Sequence, residues 1–241
     1  MSSLLDLPRL DADPDAPFPP TSQALASPNG LLAWGGDLHP RRLLGAYRAG
    51  IFPWYSAGQP ILWWSPAPRC VFYPGRVYIS KRSRRRYNSG QFELSADRDF
   101  AAVIEACAQP RDDGGGTWIT ADMIDAYERL HETGHAHSVE VWQDGRLVGG
   151  IYGLALGSVF FGESMFSRAS DAGKLALIAL CRHLRAEGFV LLDCQLSSEH
   201  LLGMGAERIS RAQFERELEA HATTDRAAGS WSNTARFEVR W

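Results

Sequence analysis

The stretch from Ser158 to Leu196, SVFFGESMFSRASDAGKLALIALCRHLRAEGFVLLDCQL, constrains the fold more tightly than any other. Its apolar, aromatic opening, Ser158–Phe161, suits a buried strand. Small polar residues and a glycine over Ser167–Gly173 mark a loop. Leu177, Leu180, Cys181 and Leu184 then fall on one helical face from Lys174 onward, and Gly188 supplies the stop. Phe189–Leu192 is a second buried strand, and it ends on Asp193-Cys194-Gln195. A carboxylate and an amide directly after an apolar run are costly to bury without partners. Strand alternation puts Asp193 and Gln195 on one face and Cys194 on the other, so chemistry is expected at this strand end.

Upstream, Ser138–Gln143, Asp144-Gly145, Arg146–Ala155 and Ser158–Phe166 read as strand, tight turn, strand, turn, strand, with Asp-Gly as the hairpin signal. A meander followed by helix and strand predicts an α+β fold with a mixed sheet, in an order that resembles the N-acetyltransferase superfamily. Before it come a strand over Val71–Ser80, a helix over Asp99–Ala108, the loop RDDGGG, and a helix over Ala121–His131 that stops at Gly134. Met1–Asn29, with Pro17, Pro19 and Pro20, is expected to be extended, pinned by Phe18 and without regular structure. Asp37 or His39 can cap a helix that opens at Pro40, carries Leu43, Leu44 and Tyr47 on one face and stops at Gly50. After His200 the sequence holds a helix, Ala212–His221, and a strand candidate, Arg236–Trp241.

With 241 residues and a net charge of −3, the chain can bury a sizeable core, and no global field draws it to nucleic acid. Any basic surface must be local. Lys81–Arg86, KRSRRR, puts five positive charges in six residues, as a solvated turn or as a phosphate contact. Cys70, Cys107, Cys181 and Cys194 lack paired spacing and read as reduced thiols of a cytosolic protein. No apolar run reaches membrane-spanning length. His131-Glu132-Thr133-Gly134-His135 matches the zinc pattern H-E-x-x-H, but Gly134 ends the helix between the two rings, and no metal is expected there. Trp54, Trp63 and Trp64 crowd one proline-rich segment, as core fillers or, where rigid and exposed, as platforms for a nucleobase.

Longer strings are more specific than these motifs. NGLLAWGGDLHPRRLLGAYRAGIFPWYS, GQPILWWSPAPR, GTWIT, GHAHSVEVW, LVGGIYGLALG, FFGESMFSRASDAGKLAL and DCQL resemble, in order and over Pro28–Arg211, the leucyl/phenylalanyl-tRNA–protein transferase family. The resemblance implies a small N-terminal domain, residues 1–67, and an acetyltransferase-like catalytic domain, residues 68–241. It implies transfer of leucine or phenylalanine, with methionine left open, from aminoacyl-tRNA to the N-terminal amine of proteins beginning with Arg or Lys. The product is then marked for degradation by the N-end rule. An aminoacyl-tRNA is already an activated ester, so neither a cofactor nor a metal is required, and the reaction is expected in the cytoplasm.

By similarity to the family, Gln195 contacts the attacking amine and Asp193 orients or polarises it. A glutamine is a poor base, so the pair is read as positioning and electrostatics. Glu163 is the candidate for holding the α-ammonium of the aminoacyl group; the alternative is a carboxylate satisfied by backbone donors or an arginine. Ile151, Met165, Leu177, Leu180 and Leu192 match the family's acyl pocket and are equally consistent with plain core. Trp54 and Trp118 match positions near the terminal adenosine, and Lys81, Arg82, Arg84, Arg85 and Arg86 are expected on tRNA phosphates. Two other readings compete. A CoA-dependent acetyltransferase needs a glycine-rich loop for pyrophosphate, whereas SRASDAG has one glycine and an opposing aspartate. An RNA-binding module would leave Asp193 and Gln195 without a task.

Overall fold

A computed structural model describes residues 7–110, 117–222 and Trp231; the loop RDDGGG and the strand candidate Arg236–Trp241 lie outside the described residues. β1 (Arg9–Leu10), β2 (Leu31–Gly35), β3 (Phe52–Pro53) and β4 (Leu62–Trp64) form a small sheet in the order β1-β2-β4-β3. The expectation of no regular structure before Asn29 fails at two points. Arg9 bridges to Trp34, and Thr21–Gln23 winds one 3-10 turn. Phe18 does pin the segment, edge-on to Trp63 with ring centroids 4.9 Å apart. α1 (Pro40–Arg48) starts where proline's fixed φ suits a first turn, and the His39 ring caps it by accepting the Arg41 N–H.

The larger sheet begins with β5 (Arg69–Phe72). This strand starts earlier and ends sooner than the expected Val71–Ser80, because Pro74 has no N–H to extend a ladder and opens a 3-10 turn, Pro74–Arg76. KRSRRR is likewise not a turn. It forms α2 (Lys81–Tyr87), capped by the Ser80 hydroxyl, with Ser83 and Tyr87 buried one turn apart on its inner face. β6 (Glu93–Ala96), α3 (Phe100–Cys107) and α4 (Ala121–Glu132) follow, α4 being capped by the Thr120 hydroxyl.

β7 (Ala136–Gln143), β8 (Arg146–Leu156) and β9 (Val159–Ser167) make the meander, joined first by Asp144-Gly145 with both φ values positive, as a two-residue hairpin turn requires. α5 (Ala172–Ala186) returns the chain to β10 (Leu191–Asp193), which lies parallel to β9. α6 (Glu199–Gly203), β11 (Glu207–Ile209) and α7 (Arg211–His221) complete the described chain, and the sheet order is β11-β5-β10-β9-β8-β7-β6. One apolar cluster joins the small sheet to the large one, with Ala33, Tyr47 and Trp63 packed with Phe100, Tyr127 and Phe161. On the other side, α5 buries Leu175, Leu180 and Leu184 against Val139, Phe160 and Leu192. The topology is an α+β fold, with a small N-terminal sheet and a C-terminal mixed sheet.

Candidate active site

β9 and β10 pair only from Val159↔Leu191 to Phe161↔Asp193. Past that point the chain after β10 stays with β5 instead. The Cys194 N–H donates to the Cys70 carbonyl at 2.9 Å, and the Cys70 N–H to the Gln195 carbonyl at 3.2 Å. A split opens between the two strands, and in it lies a cavity of about 420 Å³. Phe52, Trp54, Trp118, Ile151, Met165, Leu177 and Leu201 give its apolar wall, and Glu163, Ser164, Gln195 and Ser198 its polar one. A largely apolar hollow with a few convergent polar groups is the usual form of a small-ligand site.

The expected pleat at the end of β10 does not hold. The strand stops at Asp193, and Gln195 has φ +54°, so the two do not share a strand face. Asp193 is fully buried behind the cavity wall. The Arg69 guanidinium grips it with two bonds, Nε to Oδ1 at 2.9 Å and Nη2 to Oδ2 at 2.7 Å. Arg69 in turn donates to the Gly50 carbonyl at 3.0 Å and lies over the rings of Phe52 and Phe214. Asp193 also accepts the Gln195 N–H at 3.0 Å, which fixes the left-handed residue and aims its side chain back across the split.

There the Gln195 amide Nε2 lies 3.4 Å from Glu163 Oε1, while the Tyr127 hydroxyl donates to Oε2 at 3.0 Å. Tyr127 shares a further hydrogen bond with the Tyr47 hydroxyl. Burial pushes Glu163 up to about 7, with Asp193 adding to the rise and the two tyrosine hydroxyls and Arg69 holding it back. Tyr47 and Tyr127 are themselves raised well above their ordinary value by burial, so they stay neutral donors. A half-buried carboxylate that titrates near neutrality, facing an apolar hollow, can hold a ligand's ammonium or exchange a proton with it.

The structure brings Trp54, Trp118, Ile151, Met165, Leu177, Glu163 and Gln195 around one cavity. It does not bring Leu180 or Leu192 there; both are buried in the core beneath α5. Trp54 is 38% exposed at the rim, its carbonyl held by the Trp64 indole N–H at 2.6 Å. Trp63 is pure core. Lys81, Arg82, Arg84 and Arg85 are exposed on α2 and Arg86 is half-buried over Phe92, all outside the cavity. Arg82 reaches Asp171 at 3.7 Å, the residue before α5, so the basic helix adjoins the helix that carries Leu177. Sequence reasoning missed Arg69, Tyr47, Tyr127 and Phe52. An arginine opening the apolar run Cys70-Val71-Phe72 is the one signal that could have flagged Arg69.

The helix that carries His131 stops where expected, at Gly134, φ +74°. His131 stays on α4 with Nδ1 on the Ala136 carbonyl at 2.8 Å, and His135 lies beyond the stop. Among the described residues no group of three or more His, Cys, Asp or Glu side chains could hold a metal ion, and no helix is long and apolar enough to cross a membrane.

The profile of the leucyl/phenylalanyl-tRNA protein transferase family matches residues 71–219, and that of its N-terminal domain matches residues 36–67. The chain belongs to this family. Relatives named leucyl/phenylalanyl-tRNA–protein transferase include one from Alkalilimnicola ehrlichii, 56% identical over 91% of this chain and 85% of its own. One from Stutzerimonas stutzeri is 56% identical over 89% and 95%, and one from Aromatoleum aromaticum is 55% identical over 97% and 98%. Among solved structures, FemX aligns at TM-score 0.44 with 11% identity over 74% of this chain and 65% of that one. A GCN5-related N-acetyltransferase from Kribbella flavida aligns at TM-score 0.39 with 12% identity over 68% and 58%. At such scores the family assignment rests on sequence, and the fold on the chain's own topology.

Proposed function

We propose that the cavity takes the aminoacyl end of leucyl- or phenylalanyl-tRNA, and that the chain passes that amino acid to the N-terminal amine of proteins beginning with Arg or Lys. As a member of its family the chain is an aminoacyltransferase. The observation that carries the reading is the pairing of an apolar hollow with the Glu163 carboxylate and the Gln195 amide on its polar wall. Leucine and phenylalanine share an unbranched Cβ and an apolar body, which suits Ile151, Met165 and Leu177, with methionine's flexibility accommodating either.

In this scheme Glu163 holds the α-ammonium of the bound aminoacyl group. The attacking α-amine, with a pKa of about 8, enters as its neutral form and is aligned by Gln195. A bond forms between its nitrogen and the ester carbonyl carbon, the carbonyl–ribose oxygen bond breaks, and the amine's proton finally leaves on the ribose hydroxyl. Asp193 and Arg69 act through Gln195, holding the turn that aims it. Trp54 and Trp118 would flank the terminal adenosine, and Lys81, Arg82, Arg84, Arg85 and Arg86 its phosphates. Charged tRNA places the reaction in the cytoplasm, where the four cysteines would stay reduced. The modified proteins would enter N-end-rule degradation.

The test is incubation with leucyl-tRNA bearing labelled leucine and a peptide beginning with Arg. Label should enter the peptide, and ribonuclease should abolish it. Peptide acetylated from acetyl-CoA, with no leucine transferred, would overturn the reading.

A further inference from the structure

The part of the cavity wall that β9 contributes breaks the rule of strand alternation. Along a strand successive side chains point to opposite faces, so a cavity on one sheet face meets every second residue. Here Gly162, Glu163, Ser164 and Met165, consecutive in sequence, all line it. Burial changes at the same place: Val159–Phe161 are buried, and every residue from Gly162 to Phe166 is half-buried. The β8–β9 register shifts here, from Ser164 opposite Tyr152 to Gly162 opposite Gly153, which leaves Glu163 as the extra residue of a bulge, and the cavity meets this bulged stretch along its open edge.

The other edge of this stretch is taken by β8, with Ile151 opposite Met165 and Tyr152 opposite Ser164. On the open edge β10 ends at Asp193, its last bridge being to Phe161, and among the described residues no ladder partner follows for Glu163–Met165 there. The sheet thus carries a short gap, with strand on one side and Cys194-Gln195 at its far lip. Main-chain N–H and C=O groups left unpaired at an edge are a template for another extended chain.

We propose that the first residues of the acceptor protein lie along this edge of β9 as an added strand, filling the gap that β10 vacates. The inference rests on the transferase reading above and names how that site takes its protein substrate. An acceptor strand in the gap would run past Glu163 and Gln195, whose side chains approach across it at 3.4 Å. Main-chain pairing is blind to side chains, so it suits acceptors that need share only their first residue. The donor's reacting end carries one amino acid and has no peptide chain to pair.

The test uses pentapeptide acceptors beginning with Arg, the intact protein and leucyl-tRNA. In one series a single amide between residues 2 and 5 is replaced by an ester, which removes one N–H without adding bulk; in a second, that nitrogen is methylated. Esters at alternate positions should lower kcat/KM by roughly three- to tenfold, the worth of one main-chain hydrogen bond, and the intervening positions should match the parent. Methylation should reproduce the alternation more strongly, and arginine amide alone should be a poorer acceptor than the pentapeptide. Modified peptides and arginine amide all within twofold of the parent, or losses with no alternation, would overturn the inference while leaving the transferase reading intact. If the unmodified pentapeptide receives no leucine, the transferase reading falls and takes this inference with it.

Discussion

Asp193 ends β10 with both oxygens gripped by Arg69, whereas Glu163, on β9 across the split, is met by a tyrosine hydroxyl and a glutamine amide. The first is fully buried and paired with a permanent cation; the second is half-buried, faces the cavity and titrates near 7. A buried ion pair is a fixed joint, since removing either partner strands a charge. A carboxylate held by neutral donors keeps its charge available for a ligand. Asp193 is thus part of the frame of the split, and Glu163 is the carboxylate that faces into it.

Breaking the joint should have the largest effect. Arg69→Ala should cost about 3–5 kcal/mol of stability, read as a lower urea midpoint, because Asp193 is left buried and alone. Transfer should fall with it, since the Gln195 turn loses its anchor. An unfolding midpoint near that of the parent would show that the ion pair does not hold the split.

Glu163→Gln should show the reverse pattern. Transfer should drop by about two to three orders of magnitude, the usual worth of one well-placed charge-recognising group, with the urea midpoint at pH 8 equal to or above the parent's. The pH dependence fixes the sign. Folding raises this carboxyl from 4.5 to about 7, so between those values the folded state binds more protons than the unfolded one. Stability contributed by the protonated form is therefore present at low pH and lost as pH rises through about 7. Urea midpoints from pH 4.5 to pH 7 should lose this downward slope in the variant. If slope and transfer both survive, Glu163 is a bystander.

Leu180 and Leu177 sharpen the contrast between framework and site on one helix. Leu180→Phe should cost about 1–3 kcal/mol by overpacking and leave the ratio of leucine to phenylalanine transfer unchanged. Leu177→Phe, on the cavity wall, should shift that ratio toward leucine by about tenfold. Equal ratios in both variants would place the acyl pocket elsewhere. The smallest effect is expected farthest from the split. Changing Arg84 and Arg85 to Ala should weaken tRNA binding and flatten its salt dependence by about two phosphate contacts, with transfer from a minimal aminoacyl-adenosine donor nearly untouched. An unchanged salt slope would return α2 to a solvated helix.

What sequence could reveal followed the range of the interactions. The Asp144-Gly145 hairpin, the stop at Gly134 and the helix that opens at Pro40 are set by neighbours in the chain, and all were legible. Even α2 is locally encoded: the Ser80 cap and the Ser83–Tyr87 spacing specify a helix beneath the dense charge of KRSRRR. The site was legible as residue types and family strings, and its geometry was not. Asp193 meets its partner 124 positions away, and Gln195 takes a left-handed φ only because Asp193 and Cys70 hold it there. Leu177, Leu180 and Leu192 are equally buried and equally apt for a pocket wall, and only the side each presents to the split, which the sequence does not carry, sets Leu177 apart.

The central claim, that Glu163 is the charged group that receives the donor's ammonium, is tested most directly by calorimetric binding of leucyl-adenosine with the ester replaced by a stable amide. From pH 5.5 to 7.5 the parent's affinity should rise as Glu163 ionises with its pKa of about 7, and Glu163→Gln should bind weakly with no such rise. The same rising affinity in Glu163→Gln as in the parent would contradict the account.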